Sequence, residues 1–236
     1  MSDRPSALSL LFLHGGLADR TVWAEQIRLL EATIPCLAPD LPGHGSRADE
    51  SPDTIGAIAD EIAADLSGGC IAVGHSVGGL VALEMGLRHP DRVLGVITLE
   101  SPITPPSEHT DRSKAQLHAL TEPGAIDAWA ARMVPPGSRF HDQIAAMMRA
   151  TRPAVASWAI RVAIEFDTFS AVRDLTVPLL VVDGIVDDTR LFEANPNVQR
   201  AHTSGGSHYV QLDQAIEVHQ IISNFVETAL GAGGRT

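Results

Sequence analysis

The sequence predicts an α/β fold, in which a mostly parallel sheet of about six to eight strands has helices on both faces and a helical cap is inserted between two of the strands. Short apolar runs alternate with amphipathic helical patterns along much of the chain, which is typical of a parallel sheet. This alternation stops near Glu100 and resumes only after a stretch of helical patterns. The length of 236 residues fits one large α/β domain.

The first part of the chain carries the clearest alternation. Apolar runs at residues 8–13, 33–38, 70–73 and 93–99 indicate buried strands. Apolar residues at helical spacing predict helices over residues 23–30, 55–66 and 77–88. The dense Pro and Gly of residues 39–45 predict an ordered loop instead of a helix or strand. These elements follow one another in the strand–helix order of a parallel sheet.

The middle of the chain contains only helical patterns and Pro breaks. We predict helices there over residues 126–133, 141–149 and 154–166, followed by strands at 178–182 and 198–202 and a final helix over 215–230. Residues 1–100 and 175–236 are therefore expected to form the core domain. Residues 101–174 are expected to form a helical cap inserted into it.

Composition narrows the classes of partner. The formal net charge is −12 and no run of Lys or Arg exists, which argues against a nucleic-acid partner and against an anionic membrane surface. Two cysteines among apolar residues indicate buried thiols and not a disulfide framework. No apolar run is long enough for a signal peptide or a membrane span. We expect a soluble, cytoplasmic protein with a small-molecule substrate, as a monomer or small homo-oligomer.

The strongest chemical signal is the run Gly74-His75-Ser76-Val77-Gly78-Gly79, which lies between a predicted strand and a predicted helix. In this G-x-S-x-G context a tight turn raises the Ser hydroxyl above the carboxyl end of the sheet. The turn also directs the Val77 amide into the site, where it can donate to an oxyanion. Ser76 is therefore predicted to be a nucleophile.

A serine nucleophile needs a base, and histidine is the usual one. Of the ten histidines, we choose His208, because it follows the last predicted strand in a Gly-rich loop and fits the order Ser, acid, His. His202, at the end of that strand, is the main competitor. His219 lies on the final helix, where a surface role is favoured, and His75 is too close in the chain to reach the hydroxyl of its neighbour Ser76.

The acid that orients the base should follow the strand at residues 178–182. Asp187 is the first choice and its neighbour Asp188 can substitute for it, whereas Asp183 stands too early. Glu100, at the end of another predicted strand, is a minor rival.

The second oxyanion donor is expected in the loop after the first strand, in His14-Gly15-Gly16-Leu17. We choose the Gly16 amide, with Leu17 second, because glycines allow close approach of the backbone to a substrate. His14 is interpreted as a structural residue that braces this loop.

Taken together, these motifs resemble the α/β-hydrolase superfamily. The matching stretches are residues 11–16, 40–46, 74–79, 89–93, 178–187 and 206–208, in the superfamily's order and rough spacing. The resemblance implies a helical cap after the sixth family strand and the absence of any cofactor or metal. It is closest to small carboxylesterases, lactonases and C–C bond hydrolases. Two departures are a short N-terminal region, which suggests six strands, and a short distance from Asp187 to His208.

The predicted function is hydrolysis of a small, mostly apolar carboxylic ester, lactone or thioester through an acyl-enzyme on Ser76. Large apolar side chains of the cap are candidates for the acyl pocket: Trp129, Met133, Val134, Phe140, Met147, Met148, Trp158 and Ile160. Because fold does not fix function, three alternatives stay open. They are a C–C bond hydrolase, a lyase using the same Ser and His, and a hydrolase-like ligand receptor with little turnover.

Overall fold

The computed structural model describes residues 8–103, 124–183 and 193–233. The strands in these ranges are β1 (Ser9–Leu13), β2 (Cys36–Leu37), β3 (Cys70–His75), β4 (Val93–Leu99), β5 (Leu179–Val182) and β6 (Val198–Ala201). They form one sheet in the order β2-β1-β3-β4-β5-β6, and every neighbouring pair is parallel. The predicted parallel sheet is confirmed, and its carboxyl ends share one edge.

The helices connect these strands in the predicted order. They are α1 (Ala24–Leu30), α2 (Ile55–Asp65), α3 (Val77–Arg88), α4 (Ala125–Met133), α5 (His141–Ala150), α6 (Pro153–Glu165), α7 (Thr168–Asp174), α8 (Val210–Asp213) and α9 (Ala215–Gly233). Short 3-10 turns lie at Arg20–Trp23 and Gly45–Arg47. Within the described ranges, none of the helices combines the length and apolar character that crossing a membrane requires.

The sheet separates two apolar layers, because successive side chains of a strand point to opposite faces. Leu10 and Phe12 of β1 pack with α1 and α9, the latter through Ile222 and Phe225. Leu11 of β1 packs on the other face, with α2 and α3. Helices therefore cover both faces of the sheet, as predicted.

Two details differ from the sequence prediction. The strand expected at residues 33–38 is reduced to β2, because the amides of Thr33 and Ile34 donate to Leu30 O and prolong the end of α1 as a turn. The short helices α7 and α8 were not predicted, since seven and four residues are too few to show helical periodicity. Helix α7 does carry a local start signal, because the Asp167 carboxylate accepts from the Ser170 amide.

The four helices α4–α7 lie between β4 and β5, and we call them the inserted helices. Trp158 Nε1 of α6 donates to Asp53 O at 2.8 Å, and Arg152 donates to Glu50 O, so these helices are tied to the loop before α2. The predicted cap also includes residues 104–123, which lie outside the described ranges, and its boundaries stay a prediction.

Candidate active site

Backbone strain is concentrated at the carboxyl edge of the sheet. The non-glycine residues with positive φ in the described chain are Leu17, Ser76, Glu100 and Asp183, with φ of 63°, 51°, 47° and 49°. Leu17 lies in the loop after β1, and the other three follow β3, β4 and β5 directly. Such conformations are unfavourable for side-chain-bearing residues and cluster at functional sites. They mark this edge as the candidate site.

The turn that carries Ser76 explains why its motif needs glycines. A Cβ on Gly74 would lie 2.2 Å from Gly78 O, and a Cβ on Gly78 would lie 2.3 Å from Leu13 O. Both contacts are with backbone atoms that cannot move aside easily. The close packing of β1, β3 and the start of α3 therefore excludes any side chain at these two positions.

Ser76 is the one position of this packed segment that reaches the surface. Every residue of 70–83 except Ser76 is buried. Its own amide donates to Leu99 O at 2.9 Å, which anchors the turn to the end of β4. The chain thus holds a rigid turn with a single accessible hydroxyl-bearing residue at its tip.

A pocket of about 210 Å³ opens above this turn. Its polar lining comes from Ser76, Glu100, Ser101 and His208. The inserted helices supply most of the apolar lining, through Trp129, Met133, Met148, Ala159, Ile160 and Ala163. Among the described lining residues there is no Lys or Arg, so no fixed cation faces a bound molecule.

The predicted cap residues divide between this lining and the packing around it. Trp129, Met133, Met148 and Ile160 line the pocket, whereas Val134, Phe140, Met147 and Trp158 pack in the apolar core or against it. The sequence did not single out Ala159 and Ala163, because small residues at helical spacing look like ordinary packing positions.

The backbone of His208 is held from two sides. Its N–H donates to Met133 O, at the end of α4, at 2.9 Å. Its carbonyl oxygen accepts from Nε2 of His75 at 2.7 Å. His208 is thus tied both to the inserted helices and to the residue next to Ser76, and its side chain lies at the pocket.

His75, which sequence reasoning set aside as a base, lies between Ser76 and His208. Its ring is buried, and burial together with the neighbouring His208 lowers the pKa of His75 well below its usual value. The imidazole is therefore neutral, with Nε2–H as the donor to His208 and with Nδ1 lacking a partner in the described structure. The only sequence signal was its place beside Ser76.

Asp183 and His202, the competing candidates after β5 and β6, contact each other outside the pocket lining. His202 is exposed, and its Nδ1 lies 3.3 Å from the carboxylate of Asp183. That carboxylate also accepts from the amide of Thr203 at 3.1 Å and from its hydroxyl at 2.5 Å. Asp183 thus fixes the start of the loop that leads to His208, and neither Asp183 nor His202 lines the pocket.

The predicted acid cannot be placed, because Asp187 and Asp188 lie outside the described residues. Within the described ranges, the carboxylate that approaches His208 is that of Glu100. Its Oε2 lies 3.5 Å from His208 Nδ1, and both side chains are about one-quarter exposed, at 26% and 25%.

A family model with the description "Alpha/beta hydrolase family" matches residues 10–221, which is most of the chain. The chain belongs to the alpha/beta hydrolase family. This confirms the resemblance inferred from the motifs, and it makes the protein a member of a family of hydrolases.

Individual relatives match this chain in two ways. A pimeloyl-[acyl-carrier protein] methyl ester esterase of Neisseria meningitidis is 43% identical over 90 residues, which is 38% of this chain and 29% of that relative. The match thus spans less than a third of the relative's length. A hydrolase from Oleispira antarctica has the same fold, with a TM-score of 0.80, 18% identity and coverage of 94% and 91% of the two chains. A thermophilic esterase from Thermogutta terrifontis also has this fold, with a TM-score of 0.78 and 22% identity. The match covers 95% of this chain and 91% of that one.

The predicted oxyanion loop borders the same pocket. Gly16, Leu17 and Val77 all line it. The Leu17 amide already donates to His44 Nε2 at 3.2 Å, which leaves Gly16 as the better candidate donor on this loop. Val77 begins α3, where the first amides of a helix have no partner within the helix.

Two buried histidines brace this loop. His14 Nε2 accepts from the Leu41 amide at 2.9 Å, and its Nδ1–H donates to Gly15 O at 2.8 Å. Burial, followed by the neighbouring His44, lowers the pKa of His14 to about 4, and burial also lowers the pKa of His44. Both rings are neutral, which agrees with the structural role predicted for His14.

Among the described residues, no group of three or more His, Cys, Asp or Glu side chains is arranged to hold a metal ion. The described pocket brings a serine hydroxyl, a carboxylate and an imidazole to one place.

Proposed function

We propose that this protein is a serine hydrolase that cleaves small, mostly apolar carboxylic esters, lactones or thioesters through an acyl-enzyme on Ser76. The observation that carries the proposal is the arrangement at the carboxyl edge of the sheet. Ser76, at positive φ and alone accessible in a buried segment, opens into one pocket with His208 and the Gly16 loop.

In the proposed first step, Ser76 Oγ attacks the carbonyl carbon while His208 accepts the hydroxyl proton. The amides of Gly16 and Val77 donate to the oxyanion that forms on the carbonyl oxygen. The bond to the leaving group then breaks, and His208 returns the proton to that group. Asp187 remains the acid that the order along the chain favours for orienting His208.

In the second step, a water molecule attacks the acyl-enzyme while His208 accepts one of its protons. The same two amides donate to the second oxyanion. The bond between the acyl group and Ser76 Oγ breaks, the acid product leaves, and the proton on His208 restores the Ser76 hydroxyl.

The pocket supports an uncharged, mainly apolar acyl group as substrate. A volume of about 210 Å³ with a mainly apolar lining favours a short acyl chain, of roughly four to eight carbons, over a long one. Burial of each CH₂ group contributes about 0.8 kcal/mol. The partial match to an esterase that acts on a pimeloyl methyl ester agrees with an ester as the class of substrate.

The first experiment combines a fluorophosphonate probe with a series of p-nitrophenyl esters. We expect mass spectrometry to place the adduct on Ser76, and we expect kcat/KM to be highest for acyl chains of four to eight carbons. In Ser76→Ala, labelling should disappear and turnover should fall by about 10⁴-fold or more, because the nucleophile is lost.

The matched control is Ser67→Ala, a change at an exposed serine outside the pocket lining. It should keep parent labelling and turnover. Absence of both adduct and turnover in folded parent protein would show that Ser76 is not activated, and the proposed hydrolase function would be rejected in favour of a binding role.

A further inference from the structure

The carboxylate that faces the base in this structure is not the one that chain order favours. Glu100 Oε2 lies 3.5 Å from His208 Nδ1, on the side of the imidazole whose proton an orienting acid must hold. Catalytic hydrogen bonds are often long in the absence of substrate and shorten when it binds. The contact therefore joins the two kinds of group that form an acid–base pair.

The backbone at Glu100 is built to hold this side chain in place. Glu100 has φ of 47°, a conformation that a non-glycine residue adopts only when its surroundings impose it. Its amide donates to Val182 O at 3.1 Å, and the preceding carbonyl, Leu99 O, accepts from the Ser76 amide. Glu100 is thus fixed between β5 and the nucleophile turn.

The charges around the pocket leave Glu100 with one partner. His208 is the only described lining residue that can carry a positive charge. The neighbouring acid Asp183 is already engaged by the amide and hydroxyl of Thr203, outside the pocket lining. A carboxylate at the position of Glu100 therefore acts on His208.

On this basis, and resting on the proposed serine hydrolase function, we propose that Glu100 is a positioning residue for His208. Its carboxylate accepts the Nδ1–H, which keeps Nε2 free to take the Ser76 proton and stabilises the imidazolium that forms. Glu100 stays ionised throughout, and no proton passes to it. The base is then supported from the end of β4, independently of Asp187.

The test compares Glu100→Gln with Glu165→Gln, a change of the same kind at an exposed residue of α6 outside the pocket. We expect Glu100→Gln to lower kcat on p-nitrophenyl butyrate by about 100-fold or more with KM within threefold. Its fluorophosphonate labelling rate should fall in parallel, because both reactions need the base. Glu165→Gln should stay within twofold of the parent in all three quantities.

Chemical rescue separates positioning from a purely structural role. Glu100→Ala removes the carboxylate. Added formate should raise kcat of this variant at least fivefold, because it can occupy the space beside His208. Acetamide, which is neutral, should restore nothing. Circular dichroism melts of each variant check that the fold is retained.

The proposal is overturned if folded Glu100→Gln keeps kcat within threefold of the parent, or if only KM changes, which would make Glu100 a pocket-lining residue. It is also overturned if Asp187→Asn loses 100-fold in kcat while Glu100→Gln does not. In either case the parent still labels on Ser76, so the hydrolase function stands. Loss of parent labelling would instead reject that function itself.

Discussion

The turn that carries Ser76 and the loop that carries His208 are two halves of one site, built in opposite ways. The turn of residues 74–79 is defined by contacts among β1, β3 and α3, and nearly all of it is buried. The loop of residues 202–209 is largely exposed up to Ser207. It is held by hydrogen bonds to residues far away in sequence, such as Met133 and His75.

This difference decides what a sequence can reveal. A turn stabilised by its own strand and helix leaves a local signature, because each glycine is required by an atom a few residues away or on the adjacent strand. A loop stabilised by distant partners leaves almost none. The position of His208 could be inferred from chain order, but the contacts that hold it could not.

The largest expected difference between the Ser76 turn and the His208 loop is in their response to a matched pair of glycine substitutions. Gly78→Ala puts a Cβ 2.3 Å from Leu13 O, whereas a Cβ on Gly206 meets its nearest atoms at an ordinary 3.6 Å. We expect Gly78→Ala to unfold the site or to lower kcat more than 10³-fold, and to destabilise the protein by about 3 kcal/mol.

Gly206→Ala should change the free energy of unfolding by less than about 0.5 kcal/mol and kcat by less than threefold. Urea denaturation and steady-state kinetics on both variants provide the measurement. Equal effects of the two substitutions would show that the turn and the loop do not differ in this way.

A smaller effect is expected where the two halves meet, at His75. His75→Leu keeps the bulk of the side chain but leaves the His208 carbonyl oxygen without its donor, so that the base shifts. We expect kcat to fall by about 10- to 50-fold with KM nearly unchanged, which corresponds to the loss of one buried hydrogen bond.

His75→Gln, whose side-chain amide can donate in place of Nε2–H, should recover at least part of that loss. Steady-state kinetics with ester substrate compares the two variants. Equal impairment of both would show that His75 fills space and does not position His208.

The smallest expected effect is on the pH dependence of the free energy of unfolding. It comes from the buried histidines that brace the predicted oxyanion loop. Because the pKa of His14 is lowered to about 4 in the folded protein, the unfolded chain binds its proton first as the pH falls below the usual value of 6.5. The contribution of neutral His14 to the free energy of unfolding is therefore fully present above pH 6.5 and is lost progressively as the pH falls to about 4. The loss is at most about 1.4 kcal/mol per pH unit.

The lowered pKa values of His44 and His75 act in the same direction. Urea midpoints between pH 7 and pH 5 should fall steeply, and His14→Gln should make that slope shallower. An unchanged slope in His14→Gln would mean that His14 is already charged in the folded protein.

Much of the fold follows from the sequence because the signals are local. Residues 93–99 and 77–88 were predicted with the bounds of β4 and α3, since a buried strand and an apolar helix both repeat clearly over that length. Prediction failed where local turn hydrogen bonds prolong a helix end into an expected strand, as at residues 33–34, or where an element is too short to repeat, as in α8.

The residues of the candidate site likewise fall into those that local sequence signals predicted and those that depend on tertiary contacts. The sequence brought Ser76, His208, Gly16 and Val77 to what the structure shows as one pocket. It ranked Glu100 low and set His75 aside, because their positions depend on how β4, β5 and the base loop meet in three dimensions. Asp187 lies outside the described residues, so its role remains a prediction.

The hydrogen bond from His208 N–H to Met133 O has a consequence for engineering and for divergence within the family. The acceptor is a main-chain atom at the end of a helix, so the identity of residue 133 matters little and the placement of that helix matters a great deal. Transplanting helices α4–α7 from another family member, to obtain a new specificity, would also exchange a support of the proposed base His208. Such a chimaera retains turnover only if the incoming helix ends with a carbonyl at the same point in space.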